Sequence, residues 1–472
     1  MLDLFFLAFI GFVLLLGLRR PFIWVMLYVY IDILAPQRIG YSLITDIPVS
    51  LIAFAAAFGG WLMLDRKEGT TFALRQGLIL ALLAYCFWTT GRADFPVEAQ
   101  EKWEWVWKAL LFALFLPLTL TTRKRIEGLA IVLVLSVATI VIGTGMKTVL
   151  GGGGYGSLSF LVNDNSGIYE SSTLATVAIA LVPTIVWFTR FGTMFKPHWM
   201  VTTFAVLLTF ACLMVPIGTE ARTGLVCIAV LGVMTLRYVK RRVLVIVGAG
   251  MLGLVALPFL PQSYYDRMAT ITQPSEDESA STRMAVWEWT IDYASQNPFG
   301  GGFDAYRSNS FTYVMPVTEE NGNTTSVEYR EVTDEARAYH SAIFELLGEQ
   351  GYPGLAIWLL LQGLGVWQME RIRRRWKGKS EEDEAWISPL ATSLQMASVI
   401  YVVGALFQGI AYQPVMLMIV GLQIGLNTYC KRIESARREL ALVERGSPAA
   451  KRAEKRRRDG DRADPAGDAV TA

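Results

Sequence analysis

Two histidines occur in the 472 residues, and one of them lies where a long polar stretch meets an apolar one. His340 is followed by Ile343, Phe344 and Leu347 at helical spacing, which predicts a helix that begins at or just after the histidine. A helix N-terminus disfavours positive charge, so this imidazole should be mostly neutral near pH 7 and able to accept a proton. A histidine bonded only to backbone groups at a membrane surface would show the same pattern.

Two arginines occupy positions that suit an anionic ligand. Arg222, in "GTEARTGL", ends an apolar segment, where a charge is costly and usually has a partner or a ligand. Arg283, in "SASTRMAVWEW", lies on a predicted helix of the longest polar stretch. A guanidinium binds a diphosphate through a planar, permanently charged fork. The alternatives are snorkelling or a pair with Glu220 for Arg222, and a pair with a loop carboxylate for Arg283.

Three further cations, Arg337, Lys147 and Arg267, are weaker candidates for the same anion. The chain has no Asp-x-Asp pair in the segments assigned to the outer face, and no Gly-x-x-x-x-Gly-Lys nucleotide loop. We therefore predict no metal and no cofactor. The cysteines show no metal or disulfide spacing and are typical of small buried hydrophobes; they are Cys86, Cys212, Cys227 and Cys430.

The elements that must position these residues are apolar helices. The chain is 53% hydrophobic and 18% charged, with a mean hydropathy of +0.39, and apolar runs of about 17–25 residues recur, each long enough to cross a bilayer. This predicts an all-α polytopic integral membrane protein. Arg19 and Arg20 divide the first 35 residues into two short pieces, and we count these as one net crossing, giving about 12 transmembrane helices.

Basic clusters follow alternate apolar segments, and the positive-inside rule places them in the cytoplasm. His198 then lies on the cytoplasmic side, so it cannot share a site with His340. The outward connections are 35–47, 91–102, 148–166, 218–221 and 261–340.

The connection 261–340 has thirteen acidic residues, five arginines and no lysine. We predict a folded, partly helical domain, with a helix capped by Ser281 or Thr282 that ends at Asn297-Pro298. The glycine-rich connection 148–166 is predicted to be a flexible strap or a place where backbone approaches a ligand. The predicted divisions are N-terminal membrane helices in 1–260, the loop domain in 261–340, C-terminal membrane helices in 341–430 and a charged cytoplasmic tail in 431–472.

Arg222, Arg283 and His340 are thus all predicted to lie on the outer face of the membrane. Arginines can offset the charge of a leaving diphosphate, and the histidine can take a proton from an attacking hydroxyl. That chemistry suits transfer of a glycan from a polyprenyl diphosphate.

Three motifs resemble the bacterial O-antigen ligase and O-antigen polymerase superfamily of membrane glycosyltransferases. "YHSAIFELLGEQGYPGL" resembles its histidine motif, with His340 and Gly351 in the matching positions. "GTEARTGL" resembles its short arginine motif, which carries over Arg222, although the usual serines are absent. "STRMAVWEWTIDYASQNPFGGG" resembles its R-x-x-x-W…P-x-x-G-x-G segment, which carries over Arg283.

The resemblance implies a GT-C-like enzyme of the bacterial inner membrane that acts in lipopolysaccharide biosynthesis with its active site facing the periplasm. It implies an inverting, metal-independent transfer from an undecaprenyl-diphosphate-linked glycan. His340 would be the general base, and Arg222 and Arg283 would bind the diphosphate. Membrane lipids are expected partners, and nucleic acid is not.

Three activities of that superfamily fit the chain. An O-antigen ligase, with lipid A–core as acceptor, is favoured because one compact loop carries both Arg283 and His340. An O-antigen polymerase and a protein O-oligosaccharyltransferase are the alternatives. A transporter or flippase is an alternative of another class, but it would be expected to show internal repeats and charges at the bilayer midplane.

Overall fold

The computed structural model describes residues 2–40, 42–151, 167–256, 265, 278–321, 324–379, 381, 383–444, 451–452 and 455. Within these ranges the chain is mostly helical, with a single two-stranded sheet. The predicted glycine-rich strap and Arg267 lie outside the described residues, apart from the first four residues of the strap.

The first half of the chain forms seven described helices before the glycine-rich segment. They are α1 (Leu2–Gly17), α2 (Phe22–Leu34), α3 (Pro36–Ile39), α4 (Val49–Met63), α5 (Leu74–Thr90), α6 (Pro96–Thr119) and α7 (Arg123–Gly151).

The described part of the second half contains two short 3-10 helices, Gly167–Tyr169 and Ala305–Ser308, together with eight more α-helices and a hairpin. The α-helices and strands are α8 (Ser171–Phe191), α9 (Trp199–Gly218), α10 (Arg222–Leu236), α11 (Arg242–Ala256), α12 (Glu278–Gln296), β1 (Ser310–Asn321), β2 (Thr324–Glu335), α13 (Ala342–Arg375), α14 (Ile387–Ala405) and α15 (Pro414–Glu444).

Four described helices are long and apolar enough to cross a membrane: residues 123–150 of α7, and all of α8, α9 and α14. In α9 only 28% of the most apolar 18-residue window is buried, against 78% in α8. Exposure of so much apolar surface is unfavourable in water, whereas contact with lipid carries no such cost. The fold is thus compatible with an all-α membrane protein. The count of 12 crossings, the GT-C-like architecture and the four predicted divisions stay predictions.

Several local predictions can be compared directly with the structure. The four cysteines are free and buried, as expected. Helix α15 runs to Glu444, so the charged stretch from residue 431 begins as helix. Arg75 belongs to one of the basic clusters that the positive-inside rule places in the cytoplasm. It is buried in α5, where its Nη2 donates to Gln423 Oε1 at 2.9 Å.

The predicted helix in the outer loop exists, but its start was misplaced. Helix α12 ends at Gln296, immediately before Asn297-Pro298, as predicted. It begins at Glu278, so neither Ser281 nor Thr282 is its cap. Both lie inside the first turns, because the acidic residues that precede them are also compatible with a helix N-terminus.

The hairpin β1–β2 was not predicted. Its register pairs Ser310 with Glu335 at the base and Asn321 with Thr324 at the tip. The sequence carried a signal, since an Asn-Gly dipeptide at 321–322 separates two stretches rich in Val, Thr and Tyr.

Glycines allow the segment after α12 to dock against a kink in α13. Gly351 has φ 62° and ψ −167°, which interrupts the helix. A Cβ on Gly300 would lie 2.4 Å from the Glu349 carbonyl oxygen, so only glycine fits this contact. The Gly302 N–H donates to that same oxygen at 2.9 Å. This docking brings residues 298–305 against the start of α13.

Candidate active site

A cavity of about 480 Å³ lies at the end of the bundle where α13 begins. We call it the His340 cavity. Polar residues dominate its lining, and they come from segments that are far apart in the sequence. The residues used below are Lys102, Glu170, Thr219, Ala221, Arg283, Asp304, Tyr339, His340, Glu345 and Glu349.

His340 lies just before Ser341, the N-cap of α13, as the sequence predicted. Its side chain is exposed to the cavity, whose walls still remove part of its solvent. This desolvation lowers the pKa of His340 below 6.5, and the positive charge of Arg283 lowers it further. Glu170 opposes the shift, and Arg337 adds a smaller lowering. A neutral imidazole at pH 7 can therefore accept a proton.

Arg283 lines the same cavity because α12 is fastened to the segment that carries His340. Trp287 lies one turn after Arg283, and its Nε1 donates to the Tyr339 carbonyl oxygen at 2.9 Å. The Trp287 ring also stacks on Phe344 of α13, with centroids 4.9 Å apart. Residues four apart share a helix face, so this anchor turns Arg283 toward His340.

Arg222 is placed beside the cavity. It is the first residue of α10, and its side chain is half-buried. Thr219 and Ala221 line the cavity, whereas Arg222 is not among the lining residues. Between them, Glu220 is buried and has φ 52°, so the link between α9 and α10 is a tight turn.

The weaker candidates do not join the site directly. Arg337 Nε donates to Asp334 Oδ2 at 2.8 Å, and its backbone is bonded to Asn309, so it belongs to the base of the hairpin. Lys147 is exposed on α7 and does not line the cavity. Arg267 lies outside the described residues.

Sequence reasoning missed a buried charge cluster in the cavity wall. Lys102 Nζ of α6 lies 2.8 Å from Glu345 Oε1, 2.6 Å from Glu349 Oε1 and 3.7 Å from Asp304 Oδ1. Glu345 Oε2 also accepts the Ala411 N–H at 3.0 Å, and Glu349 Oε1 accepts the Asp304 N–H at 3.1 Å. We call these four charged residues the Lys102 cluster. Its signal was the pair of glutamates four residues apart in an apolar helix, which require a partner.

The electrostatic environment differs between two sides of the His340 cavity. The neighbouring residues His340 and Tyr339 face different sides. His340 feels mainly Arg283 and Glu170. Tyr339 is buried, and burial together with the negative charge of Glu349 raises its pKa well above the ordinary value. An anionic ligand is therefore favoured beside Arg283 and disfavoured beside the Lys102 cluster, which has three carboxylates for one ammonium.

Backbone strain concentrates around this end of the bundle. Five non-glycine residues of the described chain have positive φ. Asp304 and His340 line the cavity, Glu220 lies between two lining residues, and Ala35 lines a neighbouring cavity. Each such residue costs about 1–2 kcal/mol, and strain of this kind clusters at functional sites. The fifth, Ala336, lies near the base of the hairpin.

Among the described residues, no group of three or more His, Cys, Asp or Glu is arranged to hold a metal ion. Whether transfer proceeds without metal stays a prediction.

Residues 204–359 match the model of the O-antigen ligase family. This range contains Arg222, Arg283 and His340. The chain carries an O-antigen ligase domain. The predicted relationship to the O-antigen ligase and polymerase superfamily is thus confirmed over residues 204–359, and the members of that family are membrane glycosyltransferase-like enzymes.

The O-antigen ligase domain does not build the cavity alone. Residues 1–193 match a family of unknown function, DUF5935, and this range contributes Lys102 and Glu170. No curated protein is significantly similar to the chain.

Proposed function

We propose that the protein is an O-antigen ligase that transfers a glycan from undecaprenyl diphosphate to a sugar hydroxyl of lipid A–core. The observation that carries this proposal is the placement of a neutral histidine and Arg283 in one cavity of the O-antigen ligase domain. We further propose that the cavity faces the periplasm and that the bundle lies in the bacterial inner membrane.

In the proposed reaction, the acceptor oxygen attacks the anomeric carbon of the donor sugar. The new C–O bond forms as the bond from that carbon to the diphosphate oxygen breaks, with inversion. His340 takes the proton of the acceptor hydroxyl, and the electron pair of the broken bond leaves with undecaprenyl diphosphate. Arg283 holds the leaving diphosphate, and Arg222 assists from beside the cavity. The arginines thus stabilise charge that a divalent cation stabilises in other enzymes.

The acceptor distinguishes the ligase from the polymerase and the protein O-oligosaccharyltransferase, because all three share the donor chemistry. The test is reconstitution of the purified chain with a lipid-linked glycan and three separate acceptors. These are lipid A–core, a second lipid-linked repeat unit and a pilin-like protein. Transfer to lipid A–core alone is the expected result. Transfer only to one of the other two acceptors would replace the ligase assignment, and no transfer to any acceptor would count against the enzyme.

A further inference from the structure

A second cavity of about 420 Å³ adjoins the His340 cavity. We call it the Trp105 cavity. The two cavities share a wall that includes Lys102, Glu345 and Gln413. Most other lining residues of the Trp105 cavity belong to the region that matches the family of unknown function. They lie at the end of α2, in α3, on α6 and in the short helix Gly167–Tyr169.

The backbone around the Trp105 cavity is held in place before any ligand arrives. Ala35 has φ 46°, and this left-handed residue turns the chain between α2 and α3 so that Asp32 and Arg38 line the same space. The Tyr169 hydroxyl donates to the Leu34 carbonyl oxygen at 2.6 Å, which ties residues 167–169 to the end of α2. Preorganisation of this kind lowers the entropy cost of binding.

The charges of the Trp105 cavity favour a neutral ligand. Its described lining includes two carboxylates, Asp32 and Glu345, and two cations, Arg38 and Lys102. Lys102 and Glu345 already bind each other at 2.8 Å. The other pair, Arg38 and Asp32, offers one cation and one carboxylate, so a diphosphate gains little here, whereas a ligand with many hydroxyls can use both donors and acceptors.

An aromatic face completes the Trp105 cavity. Trp105 lies three residues after Lys102 on α6, on the same side of the helix. Trp105 lines the cavity and is 39% exposed. A sugar ring presents C–H groups on its face and hydroxyls at its rim. Such a ring matches an exposed indole beside a carboxylate, a guanidinium and the Gln413 amide.

We propose that the Trp105 cavity is a saccharide subsite, built mainly by the region of unknown function. It binds an uncharged sugar residue next to the sugar that reacts in the His340 cavity. The identification of the ligand as part of a glycan rests on the proposed function. The same chemistry is present in the donor glycan and in the lipid A–core acceptor, so the experiment must separate these two sources.

The experiment measures binding by the full chain in nanodiscs, without turnover. One probe is an array of soluble oligosaccharides, with bacterial O-antigen repeats on one half and lipopolysaccharide core on the other. The second probe is glycan-free undecaprenyl diphosphate. The variants are Trp105→Ala, Asp32→Asn and Arg283→Ala. Trp199→Ala is the matched control, because Trp199 is also exposed but does not line either cavity.

The expected result is a crossover. Trp105→Ala and Asp32→Asn should weaken oligosaccharide binding about tenfold or more and leave the carrier probe unchanged. Arg283→Ala should weaken binding of the carrier probe and leave oligosaccharide binding unchanged. Trp199→Ala should bind both probes as the wild type does. The half of the array that responds identifies the source of the sugar.

Three outcomes would overturn the subsite. These are no oligosaccharide binding by the wild type, unchanged oligosaccharide binding in both Trp105→Ala and Asp32→Asn, or loss of the carrier probe in Trp105→Ala. Because none of these measurements requires transfer, failure of the ligase reaction would leave the crossover intact. A thermal unfolding curve for each variant identifies any loss of binding that comes from misfolding. If Trp105→Ala does not fold, the oligosaccharide binding of Asp32→Asn tests the subsite.

Discussion

The His340 cavity and the Trp105 cavity share a wall, yet their other lining residues differ in kind. The His340 cavity is lined by the histidine, by Arg283 and by two residues with positive φ, Asp304 and His340 itself. The Trp105 cavity has no histidine in its described lining and balances its charges around an exposed indole. On our two proposals, the His340 cavity performs the chemistry and the Trp105 cavity recognises a substrate. Lys102 and Glu345 of the Lys102 cluster lie in the wall that the two cavities share.

The sharpest way to break this comparison is to remove the base. His340→Asn suits the left-handed backbone at φ 47° better than alanine does, so it tests chemistry with little added strain. We expect glycan transfer to fall by about 10²–10⁴-fold, with donor binding retained. The measurement is the initial rate in the reconstituted assay, together with lipopolysaccharide laddering in a ligase-null strain.

His198→Ala is the control for that experiment, because His198 is the other histidine and lies at the start of α9. It should transfer glycan at the wild-type rate. Near-normal laddering in both variants would sink the general-base assignment.

The next largest effect concerns the wall between the cavities. Lys102→Met leaves buried carboxylates without their cation, and we expect the free energy of unfolding to fall by about 3–5 kcal/mol. Adding Glu349→Gln should recover part of the loss, since one of the uncompensated charges is then removed. Thermal or denaturant unfolding of the detergent-solubilised chain measures both.

Lys124→Met, which changes an exposed lysine of α7, is the matched control and should unfold much like the wild type. Equal stability of Lys102→Met and Lys124→Met would mean that the cluster does not hold the wall together.

A smaller effect tests the diphosphate. An ammonium cannot reproduce a bidentate guanidinium fork, so Arg222→Lys and Arg283→Lys should both lose activity. We expect the larger loss for Arg283, about tenfold or more, because it lines the His340 cavity and Arg222 lies beside it. Steady-state kinetics with varied donor concentration provide the comparison. A larger loss for Arg222 would contradict the geometry, and full activity in both lysine and alanine variants would remove the diphosphate role.

The pH dependence is a finer test. The base must be neutral, so kcat/KM should fall as the pH drops through a pKa below 6.5. Arg337→Gln removes a positive charge, which raises the pKa of His340 and moves the acid limb to higher pH. Glu170→Gln removes a negative charge and should move the limb to lower pH. Both shifts should be under about one pH unit, since Arg337 is partly exposed to solvent and screened. Shifts in the same direction would contradict the assigned electrostatics.

The last prediction is that removal of divalent metal ions has no effect on transfer. If arginines alone hold the diphosphate, transfer should persist in EDTA. A loss of transfer that magnesium restores would instead place a cation beside the diphosphate. The assay is the same reconstituted transfer, with EDTA and then excess magnesium added in sequence.

Much of the local structure could be predicted because its causes are local. Hydropathy indicates membrane helices, and the Asn297-Pro298 step ends α12 because proline restricts the residue before it. The position of His340 before a helix followed from apolar periodicity. The start of α12 was predicted at the wrong residue. The hairpin was not predicted, although the sequence contains an Asn-Gly dipeptide that is typical of a hairpin turn.

By itself, therefore, the sequence determined the helical membrane character, the relationship to O-antigen ligases and the identity of His340, Arg222 and Arg283 as candidates. Only the tertiary structure decided that Arg283 enters the cavity while Arg222 lies beside it, and that Lys102 is neutralised by glutamates more than 240 positions away. Periodicity and motifs report on neighbours along the chain. A buried charge, in contrast, is stabilised by whichever groups the packing of distant helices brings within a few ångströms.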